Sequence, residues 1–324
     1  MSKWLMSKIL LVFFHFVVQW NRFRAFVGLL AVKHKTHGYF QHRGLPFTTL
    51  LHKKGRVDAL MKYDRLRQDD ILLLTYPKTG THFTAEVLLS IYIESGKAPK
   101  KTLMNDAIAP LEMDVPQAFS FSFRKLMSSW GGVLSNLDQH PSPRIFVSHL
   151  PWNFLPQQIQ EGGIKVIHCY RNPKDTLCSC YHFYTKMGLF SRGTSWQNFF
   201  YFFLNGTVVY GGYMDWLKQW YPHRNASHVL NIQFEDMKKD LRGSVKDIAQ
   251  FLNIELTESQ LENVVAANSF EKKKAAATGA SQVVYRKGKS GGWKSDVTVE
   301  QNEILDEWIK AESKGMEEIV FQGL

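Results

Sequence analysis

Cysteine is scarce. There are three in 324 residues, and Cys169, Cys178 and Cys180 all fall in one short stretch. An odd number so placed makes no disulfide framework, and no further ligands stand at zinc spacing around Cys178 and Cys180. They read as small packing residues of a reducing compartment, and no metal is expected. No apolar run reaches the ~20 residues needed to cross a bilayer. The best candidate, Ile9 to Val18, is interrupted by His15, and no small-residue cleavage pattern follows it. Acidic residues are in deficit, 29 against 40 Lys and Arg, leaving a net charge of +11. Such a balance favours anionic partners. The basic residues are scattered, however, with Lys272-Lys273-Lys274 the one dense block, so no nucleic-acid partner is expected. Internal repeats are lacking, and so is the ATP-type loop GxxxxGK[ST].

What is present is a globular composition, 44% hydrophobic and 21% charged, with enough apolar residue for a core. The most informative stretch is Ile71 to Tyr92, ILLLTYPKTGTHFTAEVLLSIY. Four apolar residues suit a buried strand, a turn with Lys78 and Gly80 follows, and helical periodicity resumes at Phe83, Val87, Leu88 and Ile91. A strand-turn-helix of this kind holds anions, because the unpaired N–H groups of a helix N-terminus carry partial positive charge. Here the lysine precedes the glycine, the reverse of the ATP loop.

Further short strands are expected over Arg144–Trp152, Ile164–Tyr170 and Val229–Phe234. Helices are expected over Pro173–Met187, Trp196–Trp220, Asp236–Leu252 and Thr257–Asn268. Alternation of this kind predicts an α/β fold, a single domain with a central parallel β-sheet flanked by helices. Residues 33–70 read as a polar entry segment, and 105–143 as a long irregular insertion of the sort that walls a pocket. Residues 1–36 form a hydrophobic, basic extension ahead of a domain spanning 37–324. Two readings of it stay open: a helix lying in a membrane interface through residues 1–33, or a helix packed on the domain. A spanning anchor would bury Gln19, Asn21, Arg22 and Arg24 at high cost.

TYPKTGTHF (Thr75–Phe83) resembles the 5′-phosphosulfate loop of the cytosolic sulfotransferases, close to TYPKSGTTW. YRNPKDTLCSCYHFY (Tyr170–Tyr184) resembles their 3′-phosphate strand and helix. RKGKSGGWKSDVTVEQNE (Arg286–Glu303) resembles their RKGxxGDWK signature and the KxxxTVxxxE dimer motif. The resemblance implies 3′-phosphoadenosine 5′-phosphosulfate (PAPS) as donor, its bisphosphate PAP as product, and transfer to a hydroxyl or amine of a small lipophilic acceptor. It gives His149, in RIFVSHLPW, the part of general base, and Lys78 that of stabilising the leaving phosphate. Thr79, Gly80, Thr81 and His82 complete the phosphosulfate loop. Arg171, Ser179, Arg286, Lys287 and Gly288 take the 3′-phosphate, Phe83 and Phe270 sandwich the adenine with Asn268 near it, and Phe234 is a further cofactor-binding position. Phe119, Phe121, Trp152, Phe183 and Tyr184 are the acceptor-pocket candidates, and Lys294–Glu303 implies a homodimer.

The chain departs from the family pattern at several points. Val147 stands where a lysine is usual, His82-Phe83 replaces Thr-Trp, Phe234 replaces a tyrosine, Asn268 a threonine and Gly292 an aspartate. Loss of the second lysine favours a competing reading, a membrane-associated protein that binds nucleotide and lipophile with little turnover. Asn205-Gly-Thr207 and Asn225-Ala-Ser227 are formal glycosylation triplets that would suit a luminal carbohydrate enzyme. The dimer motif and the lack of paired cysteines point instead to a cytoplasmic protein, with a membrane-surface contact through residues 1–33 as a further expectation.

Overall fold

In a computed structural model the chain is described over residues 38–97, 110–113, 137–139, 142–187, 189, 194–269 and 291–323. The N-terminal extension, Phe119, Phe121, Phe270, Arg286, Lys287 and Gly288 lie outside the described residues. Among the described residues no helix is long and apolar enough to cross a membrane.

Four parallel strands make the central sheet: β3 (Ile71–Thr75), β4 (Ile145–Ser148), β5 (Lys165–Tyr170) and β6 (Val229–Gln233), in the order β4-β3-β5-β6. Successive side chains of a strand point to opposite faces, and both faces here are covered. Leu72, Leu74, Phe146 and Val166 pack in one core with Leu177, Phe199, Tyr213 and Trp216. Ile71, Leu73, Val147 and Ile167 pack in the other with Val87, Ile91, Val245 and Leu261. Strands buried on both faces must be apolar at every position, which is why Ile71–Leu74 reads as an unbroken run. Around the sheet lie α1 (Lys54–Met61), α2 (Thr81–Glu94), α3 (Pro173–Met187), α4 (Trp196–Leu204), α5 (Tyr213–Trp220), α6 (Phe234–Lys239), α7 (Leu241–Phe251), α8 (Glu258–Ala267) and α9 (Val299–Glu312).

Three elements differ from the sequence expectation. Residues 39–48 form a hairpin, β1 (Tyr39–His42) with β2 (Leu45–Thr48), where no strand is expected. Its two-residue turn puts Arg43 at φ 51° and Gly44 at φ 82°. That suits the strand twist, but Arg-Gly lacks the Asn-Gly or Asp-Gly signature of such turns. The aromatic stretch 196–220 is two helices, α4 and α5, separated where Gly206, Tyr210 and Gly211 adopt positive φ. The third difference is at Phe234, which starts α6 instead of ending β6. A new helix, α7, then begins where the Asp240 carboxylate accepts from the Gly243 N–H at 2.8 Å.

The amino ends of β3 and β4 are tied by a buried ion pair. Arg144 Nε donates to Asp70 Oδ1 at 2.7 Å, Nη2 to Asp70 Oδ2, and the guanidinium also reaches the Leu137 and Arg65 carbonyls. Both side chains are almost sealed from water, at 2% and 0% exposure. Removing one partner strands a buried charge, so Asp70→Ala is expected to destabilise the fold by about 3–5 kcal/mol. Urea denaturation checks this, and a loss below ~1 kcal/mol would put the pair among surface bridges.

Candidate active site

β3 leads through α2 to β4 on one side, and the chain then crosses to β5 on the other. The strand order therefore reverses at β3, and in open α/β sheets ligands bind in the crevice outside the carboxyl ends at such a point. The polar residues singled out by sequence gather there. The 76–80 turn follows β3, His149 follows β4, Arg171 follows β5, and Phe234 follows β6.

The turn is built around two positive-φ residues, Lys78 at 72° and Gly80 at 114°. A Cβ on Gly80 would lie 2.5 Å from the Phe234 ring, so glycine is required for space as well as conformation. No side chain caps α2, which leaves the helix N-terminus presented to the crevice. Thr79 is fully buried, and its hydroxyl reaches the carbonyls of Tyr76 and Cys169 at 2.8 and 3.1 Å. That hydroxyl pins the turn to β5 and does not face the crevice as the sequence suggests. Lys78 is half-buried, with Nζ 4.5 Å from the centre of the Phe183 ring.

His149 is fixed by its surroundings. Its Nδ1–H donates to the Thr75 carbonyl at 2.7 Å, which leaves Nε2 as the basic nitrogen. The Thr75 hydroxyl, itself 2.8 Å from Thr81 Oγ1, is 3.1 Å from the same Nδ1. Burial pushes the imidazole down to about 4, and the nearby Lys78 charge acts in the same direction. His82, at the start of α2, is pushed down to about 3, again chiefly by burial, with Lys78 and His149 adding to it.

Arg171 is held from several sides. The Tyr213 hydroxyl accepts from its backbone N–H (2.9 Å) and donates to its carbonyl (2.7 Å). Nη1 donates to the Lys78 carbonyl at 3.3 Å, linking the arginine to the lysine turn. Glu235 and Asp175 each stand 3.7 Å from the guanidinium, and the group lies 4.8 Å from the Phe234 ring centre. Nε, 3.7 Å from Glu235 Oε1, is buried and makes no hydrogen bond among the described residues. Asp175 also accepts from the N–H groups of Gly291 and Trp293 (2.8 and 3.0 Å), anchoring the start of the C-terminal segment beside the arginine.

The remaining candidates divide. Phe83 meets Phe234 edge-on at 6.1 Å, so an adenine candidate and a further cofactor candidate touch. Asn268 is buried at the end of α8, its amide nitrogen donating to Ser90 Oγ and the Val264 carbonyl, both at 2.8 Å. Ser179 is half-buried two turns into α3. Phe183 and Tyr184 adjoin each other on that helix, with Tyr184 buried. Trp152 is fully buried and stacks on His223 at 4.4 Å. Val147 is sealed in the apolar core beside α2, so no cation stands there.

Several residues escape the sequence reading. Glu112 is fully buried, with Oε1 accepting from the His149 N–H (2.9 Å) and Oε2 from the Ser148 hydroxyl (3.0 Å). Trp216 Nε1 donates to the His149 carbonyl at 2.9 Å. Tyr210 meets the imidazole edge-on at 5.4 Å and hydrogen-bonds His52 Nε2 at 2.8 Å. One signal was open to reading: Glu112 is an acid flanked by Leu111 and Met113.

The family model for the sulfotransferase domain matches residues 68–317. The chain is 33% identical over 263 residues to the amine sulfotransferase of Oryctolagus cuniculus, covering 77% of this chain and 82% of that one. It is 34% identical over 250 residues to sulfotransferase 1A1 of Rattus norvegicus, covering 74% and 82%. Among solved structures, mouse sulfotransferase SULT7A1 complexed with PAP superposes with a TM-score of 0.70 at 30% identity, covering 85% of this chain and 94% of that one.

Proposed function

The chain belongs to the sulfotransferase family and is an enzyme that transfers a sulfuryl group from PAPS to small acceptors, and from that premise we propose that His149 is its general base and Lys78 the cation at the leaving phosphate. The observation that carries this is the meeting of three groups at the carboxyl ends of adjacent parallel strands. They are a lysine turn opening a helix, a histidine with Nδ1 locked and Nε2 free, and an arginine with a buried unsatisfied Nε.

The donor supplies the sulfuryl group; the chain supplies charge, orientation and a proton acceptor. The uncapped α2 terminus with Gly80, Thr81 and His82 takes the 5′ end of the donor, and Lys78 offsets the charge that develops there. Arg171, with Ser179, Arg286, Lys287 and Gly288, takes the 3′-phosphate, while Phe83, Phe234, Asn268 and Phe270 surround the base. Nε2 of His149 takes the acceptor proton as its oxygen or nitrogen attacks sulfur, and the bond from sulfur to the 5′-phosphate oxygen breaks to release PAP. The acceptor is a small lipophilic alcohol, phenol, sterol or amine, met by Phe119, Phe121, Trp152, Phe183 and Tyr184.

The test is transfer from radiolabelled donor to a mixed panel of phenols, sterols, alcohols and amines. A second reading, nucleotide and lipophile binding with little turnover, is favoured by the apolar burial of Val147. PAP binding without transfer to any acceptor on the panel would replace the first reading by the second.

Association of two copies through Lys294–Glu303 belongs to the same proposal. Thr298 caps α9 in a capping box with Gln301, and the next residue, Val299, is an apolar side chain 79% exposed. Val299→Glu is expected to turn a dimer into a monomer with little loss of stability. Sedimentation equilibrium reads it, and a wild-type chain that is already monomeric removes the assignment. The 1–33 segment as a membrane-surface contact is tested separately, by flotation with anionic vesicles.

A further inference from the structure

His149 lies one residue past the end of β4, where the ladder no longer pairs its backbone. Both of its main-chain polar groups are instead taken by side chains from distant segments, Glu112 on the N–H and Trp216 on the carbonyl. The same Glu112 carboxylate accepts from Ser148, whose hydroxyl oxygen in turn accepts from the Leu150 N–H at 3.1 Å. One buried carboxylate therefore orders three successive residues around the base.

The carboxylate also interacts with the Tyr210 hydroxyl. Tyr210 holds a left-handed backbone, φ 72°, which a tyrosine keeps only where its surroundings impose it. Its N–H donates to the Pro46 carbonyl at 3.0 Å, and its hydroxyl meets Nε2 of buried His52, whose Nδ1 faces the Thr48 carbonyl at 3.2 Å. The β1–β2 hairpin thus ends in a buried relay of polar groups that runs from Thr48 to the base. The left-handed Tyr210 and the fully buried acid bonded to the His149 backbone both lie outside the four strands of the sheet and outside the 76–80 turn.

We infer that Glu112 and Tyr210 are positioning residues for His149: the carboxylate sets the height of its backbone, and the Tyr210 hydroxyl, by anchoring the ring that meets the imidazole, sets its tilt, so that Nε2 faces the crevice. This rests on the reading of His149 as the base. Burial raises the Glu112 carboxyl, and burial holds His52 down to about 3, so that His52 is neutral at its place between Thr48 and Tyr210.

The experiment is a double-mutant cycle on the full chain, with Glu112→Gln and Tyr210→Phe each made alone and with His149→Ala. Transfer from labelled donor, PAP affinity by calorimetry and thermal midpoint are read for each. Because a misplacement near 1 Å costs up to ~100-fold, Glu112→Gln is expected to lower kcat by ~10–100-fold and Tyr210→Phe by less, with PAP affinity within ~2-fold. In the His149→Ala background either change is expected to cost less than ~2-fold, since a positioning residue has nothing left to position. Equal losses in both backgrounds, or wild-type kcat in both single variants, would overturn the inference while leaving the base in place. Wild-type transfer by His149→Ala alone is a different failure, which removes the base and the inference with it. If Glu112→Gln does not fold, the Tyr210→Phe arm decides.

Discussion

His149→Ala is expected to lower kcat by ~10²–10⁴-fold, the usual worth of a general base, while PAP affinity stays within a few-fold. The two readouts separate because the imidazole is tied to the Thr75 carbonyl and the His149 backbone to Glu112, not to the arginine and lysine turn that would hold the nucleotide. The pH dependence follows from the same geometry. Burial holds the imidazole down to about 4, so Nε2 is unprotonated at neutral pH and remains a base well below pH 6.5. In kcat/KM the acid limb attributable to the free enzyme is therefore expected near pH 4. For stability the sign runs the same way. A histidine whose folded value lies below its unfolded value binds fewer protons when folded. Stability is then full above about pH 6.5 and is lost as pH falls towards 4. His52 and His82, both held down to about 3, add to this. An acid limb near 6.5 in a chain that is still folded, or a His149→Ala variant within threefold of wild type, would sink the assignment.

The parts of the site that sit in contiguous sequence are the parts that could be read from it. Thr75–Phe83 carries strand end, lysine, glycine and helix start in nine letters, and the structure keeps them together. β3 was legible because burial on both faces makes Ile71–Leu74 an unbroken apolar run, and the other three strands carry short apolar cores at Ile145–Val147, Val166–Ile167 and Val229–Leu230. What was hidden depends on contacts between distant segments. Glu112 meets His149 across 37 residues and Tyr210 meets His52 across 158, and no period or spacing encodes such a pair. The β1–β2 hairpin was missed for a related reason. Its turn borrows a left-handed arginine, and Phe47, His52 and Tyr210 support it by packing together at 5.1 to 5.8 Å. Thr79 shows the converse limit: its place in the motif is clear, yet only the fold reveals that its hydroxyl faces inward to Cys169.

Lys78→Met is the second change with a large expected effect, a fall in kcat of ~10²–10³-fold with smaller change in the acceptor KM. Val147 is sealed in the apolar core and supplies no second cation, so the expected loss falls on Lys78. One backbone torsion and two contacts aim the side chain. The backbone is left-handed at φ 72°, its carbonyl accepts from Arg171 Nη1, and Nζ rests 4.5 Å from the Phe183 ring. A cation over an aromatic face keeps its charge while losing rotamer freedom, so little ordering remains to be done when the leaving phosphate develops charge. Methionine keeps the apolar stem and the φ of the turn's neighbours, so the loss measures the charge. Lys78→Arg is expected to rescue poorly, because a planar guanidinium cannot occupy the point position of an ammonium over the same ring. Lys78→Met within fivefold of wild type, or full rescue by arginine, would move the electrostatic work to Arg171 or to the α2 terminus. Turnover at saturating donor distinguishes these two: the arginine would show it as a fall in kcat in Arg171→Lys beyond any weakening of PAP binding, whereas a helix terminus would leave kcat unchanged in that variant.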